Sequence, residues 1–182
     1  SINQDTKISS MANAILSLLE LIKSRLSIRK FTDEPIDDET IDQILTAGIW
    51  APSGKNNQPW KFAVIKSDVL RKSLAQLTHY SKIVETAPCC IAVFLDHALS
   101  YDRTKDCQAI GACIQNMLLT IHDMGLGAVW LGEILRNKDK VAELLNAPSN
   151  LELMAVVALG HPAEKGGKGK RKALDEVVFL RQ

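Results

Sequence analysis

The residues best suited to chemistry fall in separate short clusters. The first is Arg25-Leu26-Ser27-Ile28-Arg29-Lys30-Phe31. Two guanidinium groups and a hydroxyl offer the planar fork of donors that suits a phosphate; taken alone, the same residues also suit an ordinary solvated turn. The second is Ala51-Pro52-Ser53-Gly54-Lys55-Asn56-Asn57-Gln58-Pro59-Trp60. Its amides both donate and accept hydrogen bonds, which matches the edge of a heterocycle with alternating carbonyl and N–H groups. The third is Lys168-Gly-Lys170-Arg171-Lys172 beside a glycine-rich turn, either a solvated face or a flexible phosphate clamp. The fourth runs Gly125-Leu-Gly127-Ala-Val-Trp130-Leu131-Gly132-Glu133, where Gly132 lets backbone approach a flat ligand closely. Neither a G-x-G-x-x-G opening a helix nor a G-x-x-x-x-G-K-[ST] is present, which argues against a Rossmann site and a P-loop.

Side chains that could act as acids, nucleophiles or metal ligands do not converge. His79, His97, His122 and His161 are scattered. His122 sits late in an apolar helix and reads as structural, and His161 shapes a Gly-His-Pro turn. Cys89, Cys90, Cys107 and Cys113 show neither C-x-x-C nor Cys/His metal spacing, so they read as small buried hydrophobes in a reducing cytoplasm. No metal site is expected.

The elements that must position these clusters follow from periodicity. Residues 14–23 carry Ile15, Leu16, Leu18, Leu19 and Ile22, a wide apolar helical face. Asp37 and Asp38 open a second helix, with Ile41, Ile44, Leu45, Gly48 and Ile49 on one side and Pro52 and Gly54 ending it. Residues 60–66 alternate like a strand, 68 to about 77 read as a surface helix, and 88–96 as a buried strand. A long helix over 106–124 is apolar on most sides and is capped by Gly125. A short strand at 127–131, a helix at 137–145 and a buried strand at 154–159 complete the series. This irregular mixture predicts a layered α+β or α/β domain. The central helix is apolar enough that a dimer burying it on both sides is the natural remedy.

Bulk properties narrow the function. The 182 residues suit one domain, here 14–182 after an N-terminal arm at 1–13, with no linker or repeat. A net charge of +1 provides no field for nucleic acid or an anionic membrane. No apolar run approaches the roughly 18–20 residues of a membrane span, and the polar first ten residues do not read as a secretory signal.

Taken together and in order, the clusters resemble the nitroreductase family, in particular its short members. The matching pieces are Arg25-x-Ser27-x-Arg29-x-Phe31, then Ala51-Pro-Ser-Gly-x-Asn56-x-Gln58-Pro59-Trp60, then Gly125-Leu-Gly-x-x-Trp130-x-Gly132. Ala158-Leu-Gly160-His161-Pro162 and Lys170-Arg171 ahead of Leu174-Asp-Glu176-Val177 complete them. The fit departs at Leu26, where many members carry a second Arg, and in lacking the long helical insertion that shapes the substrate pocket of larger members.

The resemblance implies an α+β fold with a central mixed β-sheet flanked by helices, intertwined as a homodimer with two FMN molecules at the subunit interface. It implies that Arg25, Ser27 and Arg171, helped by Lys170, contact phosphate and ribityl, with Arg25 also near the pyrimidine edge. Pro52, Ser53 and Asn56 would reach in from the partner subunit, with Gln58 supporting their loop. Leu131, Gly132 and Glu133 would supply the backbone beside flavin N5, and Arg29 and Gly54 belong to the same cofactor-binding set. FMN then carries the chemistry and no side chain is catalytic. Hydride passes from NADH or NADPH through N5 to a nitroaromatic, quinone or similar small-molecule acceptor, in ping-pong order. A flavin storage or sensor protein without turnover is one alternative, and a relative with flavin-destroying or dehalogenating chemistry is another. A structural dimer without flavin leaves the amide-rich loop unexplained.

Overall fold

The computed structural model describes residues 18–182. The expected arm at 1–13 and the start of the helix expected at 14–23 lie outside the described residues, which open with helix α1 over 18–24.

Four strands make the sheet: β1 (Trp60–Ile65), β2 (Cys89–Asp96), β3 (Gly127–Leu131) and β4 (Leu151–Gly160), in the order β1-β2-β4-β3. A mixed sheet was expected, but every pairing among these strands is antiparallel. Helices intervene between the strands, yet none carries the chain across to a parallel neighbour in this sheet. β2 lies in the middle and is buried along all its length, as its unbroken apolar run predicts. Its side chains alternate: Cys89, Ile91, Val93 and Leu95 face one core layer, and Cys90, Ala92 and Phe94 the other. On β4 the alternation changes phase between Leu153 and Ala155, where the register with β2 shifts at Val93/Phe94.

Helices α2 (Asp38–Ile49) and α5 (Arg103–Asp123) cover the first face, while α3 (Asp68–Ala75), α4 (Ser81–Thr86) and α6 (Lys138–Leu144) cover the second. α2 starts where its acids place it: Asp37 caps it by accepting from Thr40 N at 2.8 Å. Gly48 lets α2 seat on α5, since a Cβ there would stand 2.9 Å from Met117 Cγ. α5 begins three residues earlier than its apolar periodicity indicates. Asp102 caps it, and its polar first turn (Arg103, Thr104, Lys105) adds no apolar signal. α3 is half a surface helix: Arg71 is buried and donates to the carbonyls of Glu85 and Ala87, fastening α4 to it. The helix expected at 137–145 is preceded by a 3-10 turn, Glu133–Asn137, and Gly125 ends α5 at φ +76°. Short helix α7 (Leu174–Val177) lies in an exposed C-terminal segment.

Cys89, Cys90 and Cys113 are buried free thiols, as expected, with burial pushing them up to about 11, 12 and 12 respectively; Cys107 is half-buried. No helix among the described residues is long and apolar enough to cross a membrane.

The apolar face of α1 stays uncovered: Leu18, Leu19 and Ile22 are exposed. So are Trp50 (80%) after α2 and Phe179 (99%) near the C-terminus. Exposed apolar surface of this extent marks an interaction face.

One polar hub ties β4 to its surroundings. Glu152 accepts from both terminal nitrogens of Arg103 (2.7 and 3.2 Å), from Lys138 Nζ (3.0 Å) and lies 3.0 Å from His97 Nε2, with its side chain 14% exposed. The Arg103 hydrogen bonds lead in lowering its carboxyl to about 2. A carboxyl whose folded value lies below its unfolded one stabilises the fold above the unfolded value and loses that contribution as pH falls. Stability should therefore drop as pH falls from about 4.5 towards 2. Thermal denaturation across that window should show Glu152→Gln with a shallower decline, the difference being roughly 1–2 kcal/mol after solvent screening. Parallel wild-type and variant curves would contradict this role.

Candidate functional site

The Arg25 cluster is strapped to the edge strand β3. α1 ends at Ser24, whose Oγ donates to Leu21 O and lies 2.8 Å from His122 Nε2, giving that histidine the structural partner expected of it. Ile28 N then donates to Ala128 O at 3.0 Å. Gly127 permits the approach, because a Cβ there would fall 2.7 Å from Ile28 Cβ. The next residues run beside the end of β4: Thr32 N donates to His161 O, Ala163 N to Lys30 O, and Phe31 bridges Pro162. Arg29 N donates to Glu164 Oε1 at 2.8 Å, so the backbone of Arg29 is engaged while its side chain is exposed.

The same strap brings in the basic C-terminal cluster. Gly166, at φ +75°, and Gly169 close over Leu26: a Cβ on either would lie 3.3 Å from Leu26 side-chain atoms. Leucine at position 26 thus fills the turn that carries Lys165 to Arg171 past Arg25. Among the described residues, the Arg25 and Ser27 side chains make no hydrogen bond or ion pair with the protein, and Arg171 bonds only to Lys170 O (2.9 Å). Two cationic clusters are therefore brought together with donor capacity to spare.

At the other end of β3, Leu131 is buried and Gly132 is exposed. A Cβ on Gly132 would meet no heavy atom within 4 Å, so open space stands over this backbone. Glu133 turns its carboxylate away from that space. It accepts from Thr78 Oγ1 (2.5 Å) and His79 N (3.0 Å) and pairs with Arg136 Nε (2.5 Å). The Thr78 hydrogen bond leads in lowering its carboxyl below the usual range. Only the Glu133 backbone is left for a ligand over Gly132. Thr78 and His79 carry no sequence signal for this role.

The amide loop is locally strained and firmly anchored. Lys55, Asn56 and Gln58 have φ of 57°, 53° and 48°, a region that costs residues with side chains about 1 kcal/mol or more each. Gln58 N donates to Ser53 Oγ and Gln58 Nε2 to Asn56 O, so Gln58 supports the loop internally. Gly54 packs on Tyr101, whose hydroxyl occupies the place of a Cβ. The anchor is Asn57, which was not among the expected site residues. Its Nδ2 donates to Leu99 O (3.0 Å) and to Asp106 Oδ1 (2.8 Å). Asp106, 1% exposed, also accepts from Ser100 Oγ, Tyr101 N and Asp102 N. Burial alone would raise its carboxyl; the hydrogen bonds from Ser100 and Asn57 outweigh that and hold it below the ordinary range.

The expected residues thus form two groups. Arg25, Ser27, Arg29, Lys170 and Arg171 gather at one end of β3, with Leu131, Gly132 and Glu133 at its other end, about 17 Å of strand away. Pro52, Ser53, Gly54, Asn56 and Gln58 precede β1, the opposite edge of the sheet, at the end where Trp60 pairs with Leu95. Three strand spacings, about 14 Å, separate the two edges. The amide loop therefore lies across the sheet from the edge that carries the Arg25 cluster and Gly132.

The known proteins that the chain resembles carry related names. The model described as "Nitroreductase family" matches residues 22–81 and 75–161. A protein of Archaeoglobus fulgidus assigned as an NADH dehydrogenase/NAD(P)H nitroreductase is 37% identical over 153 residues, covering 81% of this chain and 86% of its own. A protein from Desulfovibrio desulfuricans assigned as a nitroreductase and crystallised with FMN is 46% identical, with a TM-score of 0.87 over 91% of this chain and 96% of its own. The NADPH:FMN oxidoreductase of Vibrio harveyi, complexed with NAD+, is 29% identical, with a TM-score of 0.82 over 91% of this chain and 77% of its own.

Asp106→Ala should leave Asn57 and Ser100 without their buried acceptor and lower stability by about 2–4 kcal/mol in urea denaturation. Asn57→Ala should cost less, about 1–2 kcal/mol, because Asp106 keeps its other donors. Equal, negligible effects of both changes would show that the loop is held by other means.

Proposed function

The chain belongs to the nitroreductase family, and we propose on that premise that it is an FMN-dependent NAD(P)H oxidoreductase whose flavin site is completed by a second copy of the chain. Residues 14–182 act as one FMN-binding domain. Bound FMN would supply the redox chemistry, hydride transfer from NADH or NADPH to a nitroaromatic, quinone or similar acceptor in ping-pong order.

The observation that carries this reading is the layout along β3. At one end are guanidinium and hydroxyl groups with no partner among the described residues, beside a basic turn, and at the other is open backbone at Gly132. The residues present fit FMN: a phosphate end, a strand-length reach, and a glycine where a Cβ would fill the space a flat ring needs. Arg25, Ser27, Lys170 and Arg171 hold phosphate and ribityl groups, with Arg29 adding positive charge. The backbone N–H groups at Gly132 and Glu133 would be left for the ring, beside the buried Leu131.

Pro52, Ser53, Gly54 and Asn56 serve the partner subunit's flavin, with Gln58 bracing them. Two observations favour a homodimer. The amide loop sits on the wrong edge to serve its own β3, and the faces around Leu18, Ile22, Trp50 and Phe179 are exposed in the single chain.

A visible spectrum of the purified protein, with mass analysis of the pigment released on denaturation, is expected to reveal FMN. Steady NAD(P)H oxidation with a quinone should give parallel double-reciprocal lines; bound FMN without turnover would point to storage or sensing. Arg25→Ala should weaken FMN retention roughly tenfold while leaving the dimer intact on gel filtration; unchanged flavin content would remove Arg25 from the phosphate site. Gly132→Val should leave the stability of flavin-free protein within about 0.5 kcal/mol, since nothing contacts that position. It should nevertheless block FMN uptake, and full uptake would place the ring elsewhere.

A further inference from the structure

Two lysines converge on one tyrosine at the rim of the amide loop. Lys55 Nζ lies 4.8 Å and Lys105 Nζ 5.5 Å from the centre of the Tyr101 ring, both within cation–π range. The two ammonium groups are therefore no more than about 10 Å apart. Among the described residues neither forms an ion pair with a carboxylate, although seven other lysine or arginine pairs occur among them. The nearby acids are committed: Asp102 caps α5 and Asp106 is buried under Asn57 and Ser100.

Lys105 is also placed against the helix dipole. It stands in the first turn of the 21-residue helix α5, where free backbone N–H groups favour an anion over a cation. Arg103 in the same turn is neutralised by Glu152, whereas Lys105 is not. Lys55 is held at φ 57° by its loop, so its direction is not that of a freely flexible surface lysine. An open cleft lined by Pro52, Ser53, Gly54, Tyr101, Lys105 and Gln108 lies at the same place. Lys105 and the half-exposed Tyr101 ring line this cleft, and the Lys55 ammonium stands over the same ring.

We infer that Lys55, Tyr101 and Lys105 form the subsite that docks a phosphate group of the nicotinamide dinucleotide, beside the loop that the proposed function sets against FMN; the inference rests on that reading. The ammonium groups take the phosphate oxygens as point charges, and the Tyr101 ring supplies a flat apolar surface for a base. Two phosphates of the dinucleotide qualify: the pyrophosphate common to NADH and NADPH, and the 2′-phosphate of NADPH alone.

The test uses FMN-loaded protein and the variants Lys55→Gln, Lys105→Gln and the double change, each checked first for flavin content and urea midpoint. Titration with NADP+ and with NAD+, and KM values for NADPH and NADH, are the readouts. The double variant should weaken NADP+ binding and raise the NADPH KM roughly tenfold, with a flatter dependence of affinity on salt. Loss for NADP+ alone assigns the 2′-phosphate, and equal loss for both nucleotides assigns the pyrophosphate. Lys55→Arg, which keeps the charge, should retain most of the affinity. Variants that hold FMN fully and bind both nucleotides as the parent does would overturn the subsite. Wild-type protein without FMN would instead defeat the reading beneath it.

Discussion

The hydrogen bond from Ile28 N to Ala128 O, made over the bare Cα of Gly127, is the contact on which the site depends. A single backbone hydrogen bond contributes only about 1 kcal/mol net. This one begins a strap that continues through Lys30, Thr32 and Arg29 to the end of β4 and to Glu164. It converts the exit of α1 into a fixed ledge beside β3. Because the glycine turn after Glu164 closes over Leu26, the basic C-terminal cluster is carried to the same ledge. The positive charge proposed to hold phosphate and the open Gly132 backbone then share one edge strand, and strand geometry sets the distance between them.

The groups meant for ligands and the groups meant for stability are kept apart. Charges that hold the fold are paired and shielded: Glu152 with Arg103 and Lys138, Asp106 with Asn57 and Ser100, Glu133 with Thr78 and His79. Arg25, Ser27, Lys55 and Lys105 have no such partners among the described residues. The strain in the amide loop follows the same division. Left-handed φ at three residues persists because Asn57 is locked into the buried Asp106 network, which over-determines the loop from below. The loop lies before β1, across the sheet from β3, and the proposed dimer is the arrangement that gives it a flavin to serve.

Much of this was legible in the residues, for local reasons. The Asp37 cap, the apolar series of α2, the unbroken run of β2 and the glycine after α5 are signals within one turn or strand, and each element stands where they place it. What was not legible depends on distance. Asn57 and Asp106 are 49 residues apart, and Glu133 and Thr78 are 55 apart; nothing in either segment announces the other. Gln58 and Asn56 drew attention as amides, while Asn57, identical in type, turned out to be the anchor because only it reaches the buried carboxylate. The polar first turn of α5 hid its true start, and strand direction, which no local pattern encodes, resolved to an all-antiparallel sheet among the described residues. Leu26, a departure from the family pattern, packs against Gly166 and Gly169, which lie 140 or more residues further along the chain.

In the proposed dimer each chain supplies half of each flavin site. Native mass spectrometry of the purified protein tests it most directly, because it weighs the assembly and its cofactor together. Two chains with two FMN molecules, and flavin lost whenever the dimer is dissociated, is the predicted result. A monomer that retains one FMN would contradict the account, since it would require the amide loop and β3 of a single chain to reach the same ligand.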